Sequence, residues 1–103
     1  MERIQKLKEF LAASPQDSFL QHALALEYIK QGDDGAARNL FENLLAADPE
    51  YIGSYYHLAL LLERMGARAL STQWLKKGME KAQVAGDSHA YNELRSAYEE
   101  ITF

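Results

Sequence analysis

Cysteine is absent from all 103 residues, and that absence removes disulfide staples, thiolate nucleophiles and cysteine-based zinc sites together. Proline is scarce at two residues and glycine reaches only six, so no fibrous or low-complexity disordered class is indicated. No apolar run approaches membrane-spanning length, and Met1-Glu2-Arg3-Ile4-Gln5-Lys6 offers no apolar signal core. A soluble, cytoplasmic protein without membrane insertion is the expectation. Positive charge is in the minority: 11 Lys and Arg face 15 Asp and Glu, a net charge of −4. A protein that neutralises many phosphates usually carries a basic face, so nucleic acid is not an expected partner. Signatures of catalysis are missing as well. There is no serine elbow and no glycine-rich phosphate loop, and the acidic turn Gly32-Asp33-Asp34-Gly35 lacks the ligand spacing of a calcium loop. No enzymatic role and no cofactor are expected.

What the chain does have is an internal period. Gly32 and Gly66 lie 34 residues apart, as do Pro15 and Pro49. Laying residues 18–51 over 52–85 brings Leu24 onto Leu58, Ala25 onto Ala59, Tyr28 onto Leu62 and Phe41 onto Leu75. The same overlay sets Gln21 on Tyr55, Ala37 on Ser71 and Leu44 on Gly78, and Leu7 and Phe10 fall back onto the Phe41 and Leu44 positions. A fixed period of this length marks a stacked helical repeat. Apolar spacing and breakers predict helices near 2–13, 18–31, 35–47, 52–65, 69–85 and 88–101. Ser14-Pro15 and Asp48-Pro49 act as stops, because proline restricts the preceding residue and cannot extend the ladder. In the last helix Tyr91, Leu94, Tyr98 and Ile101 form the apolar stripe, with Asp87 or Ser88 as N-cap.

These residues resemble the tetratricopeptide repeat. The first unit carries Leu24, Ala25, Tyr28, Gly32, Ala37, Phe41 and Pro49; the second keeps Tyr55, Leu58, Ala59 and Gly66, but has Ser71 for the usual alanine and Gln83 for the closing proline. The resemblance implies an all-α helical-hairpin solenoid of about six helices. Its parts are an opening helix 2–13, repeats 18–51 and 52–85, and a closing cap helix 88–101, read as a single domain over 1–103 and a complete protein. Each signature has a physical reason. Gly32 and Gly66 sit where a helix ends in the left-handed region, and Ala25, Ala37 and Ala59 are small where paired helices approach closely.

The first helix of each pair has more apolar residues than one neighbour can cover. Leu60, Leu61 and Leu62 spread over about 200° of helix, and Leu24-Ala25-Leu26 repeats the situation. In the family, first helices line a concave groove. Carrying those positions over implies a partner-binding surface of Phe19, His22, Leu26 and Lys30, then Tyr56, His57, Leu60, Glu63 and Arg64, then Ala90, Tyr91, Leu94 and Tyr98. The competing reading is that Tyr91, Leu94 and Tyr98 only cap the core. A carboxylate clamp of the kind some members use is rejected. Its positions here hold His22, Leu26, His57, Asp87 and Tyr91, without the needed cations and asparagines.

The expected function is therefore a non-catalytic protein–protein interaction module, adaptor or chaperone-like, whose apolar and aromatic groove takes a peptide or amphipathic helix of another protein. With so few repeats the affinity should be roughly micromolar. The alternative is a structural subunit acting through homo-oligomerisation, with Trp74 either packed on the closing helix or exposed as an anchor. His22 and His57 lack a second ligand on their own helices, which disfavours a metal site. Arg64, Arg68, Lys76, Lys77 and Lys81 are read as a solvated face.

Overall fold

A computed structural model describes residues 2–103. It contains α1 (Glu2–Ala13), α2 (Ser18–Lys30), α3 (Asp34–Ala47), α4 (Gly53–Arg64), α5 (Arg68–Ala85) and α6 (Ser88–Thr102). Each lies within one residue of its sequence-predicted bounds. The helices fall into two compact units, one running to Asp48 and the other from Pro49 to Phe103.

In the first unit α2 packs against both α1 and α3. Ile4 and Leu7 of α1 meet Leu24 of α2, with Leu11, Leu20, Ala23, Tyr28 and Leu40 packed around them. Ala25, Ala37 and Phe41 are fully buried, the small-and-large set that the repeat spacing requires. Ser18 Oγ donates to Asp48 Oδ2 at 2.6 Å, tying the start of α2 to the end of α3. The backbone leaves α-geometry at Asp48 (φ −135°), immediately before Pro49.

In the second unit α5 packs on both α4 and α6. Tyr55, Leu58, Ala59, Leu61, Leu62, Leu75 and Leu94 are all at most 1% exposed. Ser71, which stands where the first repeat has Ala37, is fully buried where α5 packs on α4. Its hydroxyl donates to the Ala59 carbonyl at 2.7 Å in a fully buried position. Serine is small enough for that approach, and the hydrogen bond removes the penalty for burying its oxygen. The exchange of Leu44 for Gly78 is compensated as well. Tyr55 fills the room, and a Cβ added at Gly78 would lie 2.7 Å from Tyr55 Cβ. Volume has moved from the second helix of the pair to the first.

The hairpin turns share one closing device. Gly32 and Gly66 have φ of 81° and 84°, a region that disfavours residues with a Cβ. Around Gly32, its own N–H donates to the Ile29 carbonyl and Asp33 N–H to that of Tyr28, at 3.0 and 2.9 Å. Gly66 and Ala67 repeat the pattern onto Glu63 and Leu62 at 3.1 and 2.8 Å. These are Schellman closures, in which two otherwise orphaned carbonyls are satisfied. Gly86 and Asp87 close α5 in the same way onto Gln83 and Ala82.

Candidate functional site

Three consecutive leucines on α4 test how many directions a first helix serves. Leu61 and Leu62 are buried at 1% and 0%, while Leu60 stays 39% exposed. A helix turns about 100° per residue, so with Leu61 and Leu62 committed to the core, Leu60 faces outward. On α2, Leu24 and Ala25 are buried and Leu26 is half-buried.

The first unit brings all four of its expected surface residues together. Phe19, His22, Leu26 and Lys30 recur at three- and four-residue spacing and therefore share one face of α2. They line an open cleft of about 350 Å³ together with Arg3, Ala23 and Glu27. Phe19 is 67% exposed at its mouth. The His22 ring meets the edge of Phe41, with centroids 5.6 Å apart. Glu27 joins this surface through the structure alone. Its side chain is only 12% exposed, and its carboxylate receives Arg3 Nε at 3.2 Å and Lys30 Nζ at 3.4 Å. Both cations are largely solvated, so the pairs orient the rim more than they stabilise the fold.

The second unit has a larger cleft, of about 570 Å³. Tyr56, Leu60 and Glu63 of α4 line it. Glu93, Ser96, Ala97, Glu100 and Ile101 of α6 line it as well, together with Arg68 of α5. His57 stands beside Tyr56, ring centroids 5.7 Å apart. Burial lowers the His57 pKa below the usual 6.5, and the nearby Glu93 carboxylate opposes that shift in part. Arg64 is exposed at the end of α4.

The expected α6 surface does not form as drawn. Ala90, Tyr91, Leu94 and Tyr98 each follow an α4 surface residue by 34 positions. Leu94 is instead core, at 1% exposure. Tyr91 is half-buried against a separate recess near the α5–α6 turn. Tyr98 is half-buried under Lys76 Nζ, 5.6 Å from its ring centroid. The cause lies in α5. With Gln83 where the first repeat has Pro49, the helix continues to Ala85, reaching 18 residues against 14 for α3, and stops only at Gly86. The register of α6 is thereby displaced by two, so that Leu94, 36 residues after Leu58, takes its buried role. Ser96, 36 residues after Leu60, reaches the cleft. The missing proline is a feature of the sequence; its effect on the register of α6 is a feature of the packed structure.

Trp74, the single tryptophan, is half-buried on α5 with its ring 5.9 Å from that of Tyr55. Lys77 Nζ covers it at 5.5 Å, a cation–π arrangement. Its packing partner is therefore on α4.

Neither a family model nor a curated protein sequence matches the chain. Solved structures do. A crystal structure of a tetratricopeptide repeat domain protein from Salinibacter ruber is 35% identical, spans 84% of this chain and 96% of its own, and superposes with a TM-score of 0.80. A solution structure of a tetratricopeptide repeat domain protein from the same organism gives 36% identity, 84% and 88% coverage and a TM-score of 0.82. A Bordetella parapertussis protein solved in solution is 25% identical, with 96% and 86% coverage and a TM-score of 0.82. Six helices in this order among the described residues, the glycine-closed hairpins and more than one third sequence identity to such a domain lead to one assignment. The chain belongs to the tetratricopeptide repeat family.

Proposed function

We propose that the chain is a non-catalytic interaction module of the cytoplasm, adaptor or chaperone-like, that holds a peptide or amphipathic helix of a partner protein. The first-helix faces of its repeats make the contact. One observation carries the reading: each unit leaves first-helix apolar side chains uncovered inside an open cleft, Phe19 at 67% in one and Leu60 at 39% in the other. Apolar surface held open by a rigid helical frame gains free energy when a second polypeptide covers it. Tyr56 and Phe19 add large contact area with few rotatable bonds, which keeps the ordering cost of binding low. Helix-in-groove recognition suits such a surface.

The test compares captures from a source-cell lysate by the parent and by a Leu26→Gln, Leu60→Gln variant, both first verified as folded by circular dichroism. A protein retained by the parent and lost with the variant is then purified and titrated by calorimetry. Direct binding at roughly micromolar Kd is the expected result. A partner held equally by both forms would remove these faces from the binding surface.

A further inference from the structure

The two clefts differ in charge, and that difference selects an occupant for the second. In the first unit Arg3 and Lys30 flank the single carboxylate of Glu27, so the fixed lining charge is 2 − 1 = +1. In the second unit the lining holds Glu63, Glu93 and Glu100 against Arg68, or 1 − 3 = −2. Arg68 is already engaged: Nη2 lies 2.9 Å from Glu63 Oε1, and Nε is 3.3 and 3.4 Å from the two carboxylate oxygens. Its neutralising effect is therefore concentrated on Glu63. Glu93 and Glu100, seven residues apart, stand two turns from each other along the same face of α6. His57, beside Glu93, is held toward its neutral form by burial and does little to offset that carboxylate near neutral pH.

The rest of the lining is largely apolar. Tyr56 and Leu60 stand at i, i+4 on α4, and Ala97 and Ile101 at i, i+4 on α6. The cleft thus joins an apolar surface to a net acidic lining, and its volume falls within the range of ligand-sized sites. An apolar side chain can enter the cleft while basic side chains to either side of it reach the carboxylates.

We infer that the second unit's cleft, bounded by α4 and α6, receives a basic amphipathic segment of the partner, with lysine or arginine flanking one or two apolar anchors. This rests on the proposed interaction role and adds the partner's charge and the unit that reads it. Complementary charge steers encounter and excludes acidic competitors, while Leu60, Tyr56 and Ile101 supply the contact that holds the segment.

The probe is a fluorescently labelled peptide of leucine and lysine at helical spacing, with a leucine–glutamate twin, titrated against the full chain by anisotropy at low and moderate salt. The lysine peptide binds, the glutamate twin does not, and salt weakens the complex. Glu93→Gln with Glu100→Gln weakens it roughly tenfold. Glu2→Gln with Glu9→Gln on α1, which removes the same charge elsewhere, leaves it unchanged. Leu60→Gln weakens it also, and Val84→Gln, at an exposed position of α5 outside both clefts, does not. Equal losses from the α1 and α6 charge pairs would overturn the inference, since attraction would then be a property of net charge. Equal binding of both peptides, lost on Leu60→Gln, would overturn the charge selectivity while leaving the interaction role intact. No binding of either peptide, alongside a lysate partner still lost with Leu26→Gln, Leu60→Gln, would likewise reject the basic occupant and retain that role.

Discussion

Alanine in place of a mid-helix glycine ordinarily stabilises a protein by about 1 kcal/mol, because the unfolded chain loses freedom and the helix gains propensity. Gly78, inside α5, is predicted to do the opposite. A Cβ there would lie 2.7 Å from Tyr55 Cβ, 3.0 Å from Tyr55 Cγ and 3.1 Å from Leu94 Cδ1. The leucine methyl can move aside by a rotamer change, but Tyr55 Cβ is fixed to the α4 backbone and can yield only if the helices separate. Tyr55 is also held at its far end, where its hydroxyl donates to the Pro49 carbonyl at 2.6 Å. Overpacking of this sort costs about 1–3 kcal/mol. Against the propensity gain of about 1 kcal/mol, the expected net loss is centred near 1 kcal/mol. Urea unfolding would show a lowered midpoint at unchanged m-value. Gly35→Ala, where nothing lies within 4 Å of the added atom, is the control and should be neutral or mildly stabilising. Tyr55→Gln, which installs the residue found at Gln21 in the first repeat, keeps a Cβ and a Cγ in the same places and should therefore not rescue Gly78→Ala. A Gly78→Ala protein more stable than the parent would refute the close approach of α4 and α5.

The remaining expectations concern caps, turns and titration. Asp33 and Asp87 accept from the N–H of Ala36 and Ala90 at 3.2 and 3.0 Å, whereas Ala67, at φ −100° and ψ 60°, begins α5 with no side-chain cap. Because Asp33 has nearly the same backbone geometry, Ala67→Asp should raise stability by about 1 kcal/mol in urea unfolding; no gain would refute the equivalence of the two turns. Gly66→Ala should lower stability by about 1 kcal/mol, since its φ of 84° is unfavourable for alanine although no atom blocks the site. For His57 the folded pKa is depressed, so its neutral form stabilises the fold fully above pH 6.5, and that contribution is lost as pH falls toward and through the folded value. His57→Gln should therefore flatten the decline in stability that sets in as pH falls through 6.5. In an NMR titration Glu93→Gln should move the His57 pKa further down, because it removes the opposing charge.

Local chemistry made the six helices legible from the residues alone. Proline at 15 and 49, glycine at 32 and 66, and the return of Leu, Ala and a large side chain every 34 residues are constraints of backbone conformation and close approach that sequence states directly. The first-helix surface on α2 was legible for the same reason: Phe19, His22, Leu26 and Lys30 share a face by helical spacing alone. Three further features were decided by packing in three dimensions. Volume exchanged between Tyr55 and Gly78, and a hydroxyl given to the Ala59 carbonyl by Ser71, became compensations only once α4 lay against α5. The acidic lining of Glu93 and Glu100 required knowing where α5 stops. A helix without a terminating proline runs on until another breaker ends it, and the four added residues of α5 shifted which side of α6 turns inward. Period and breakers set each helix, but the face it presents depends on cumulative rotation along the chain, and only the packed structure fixes that angle.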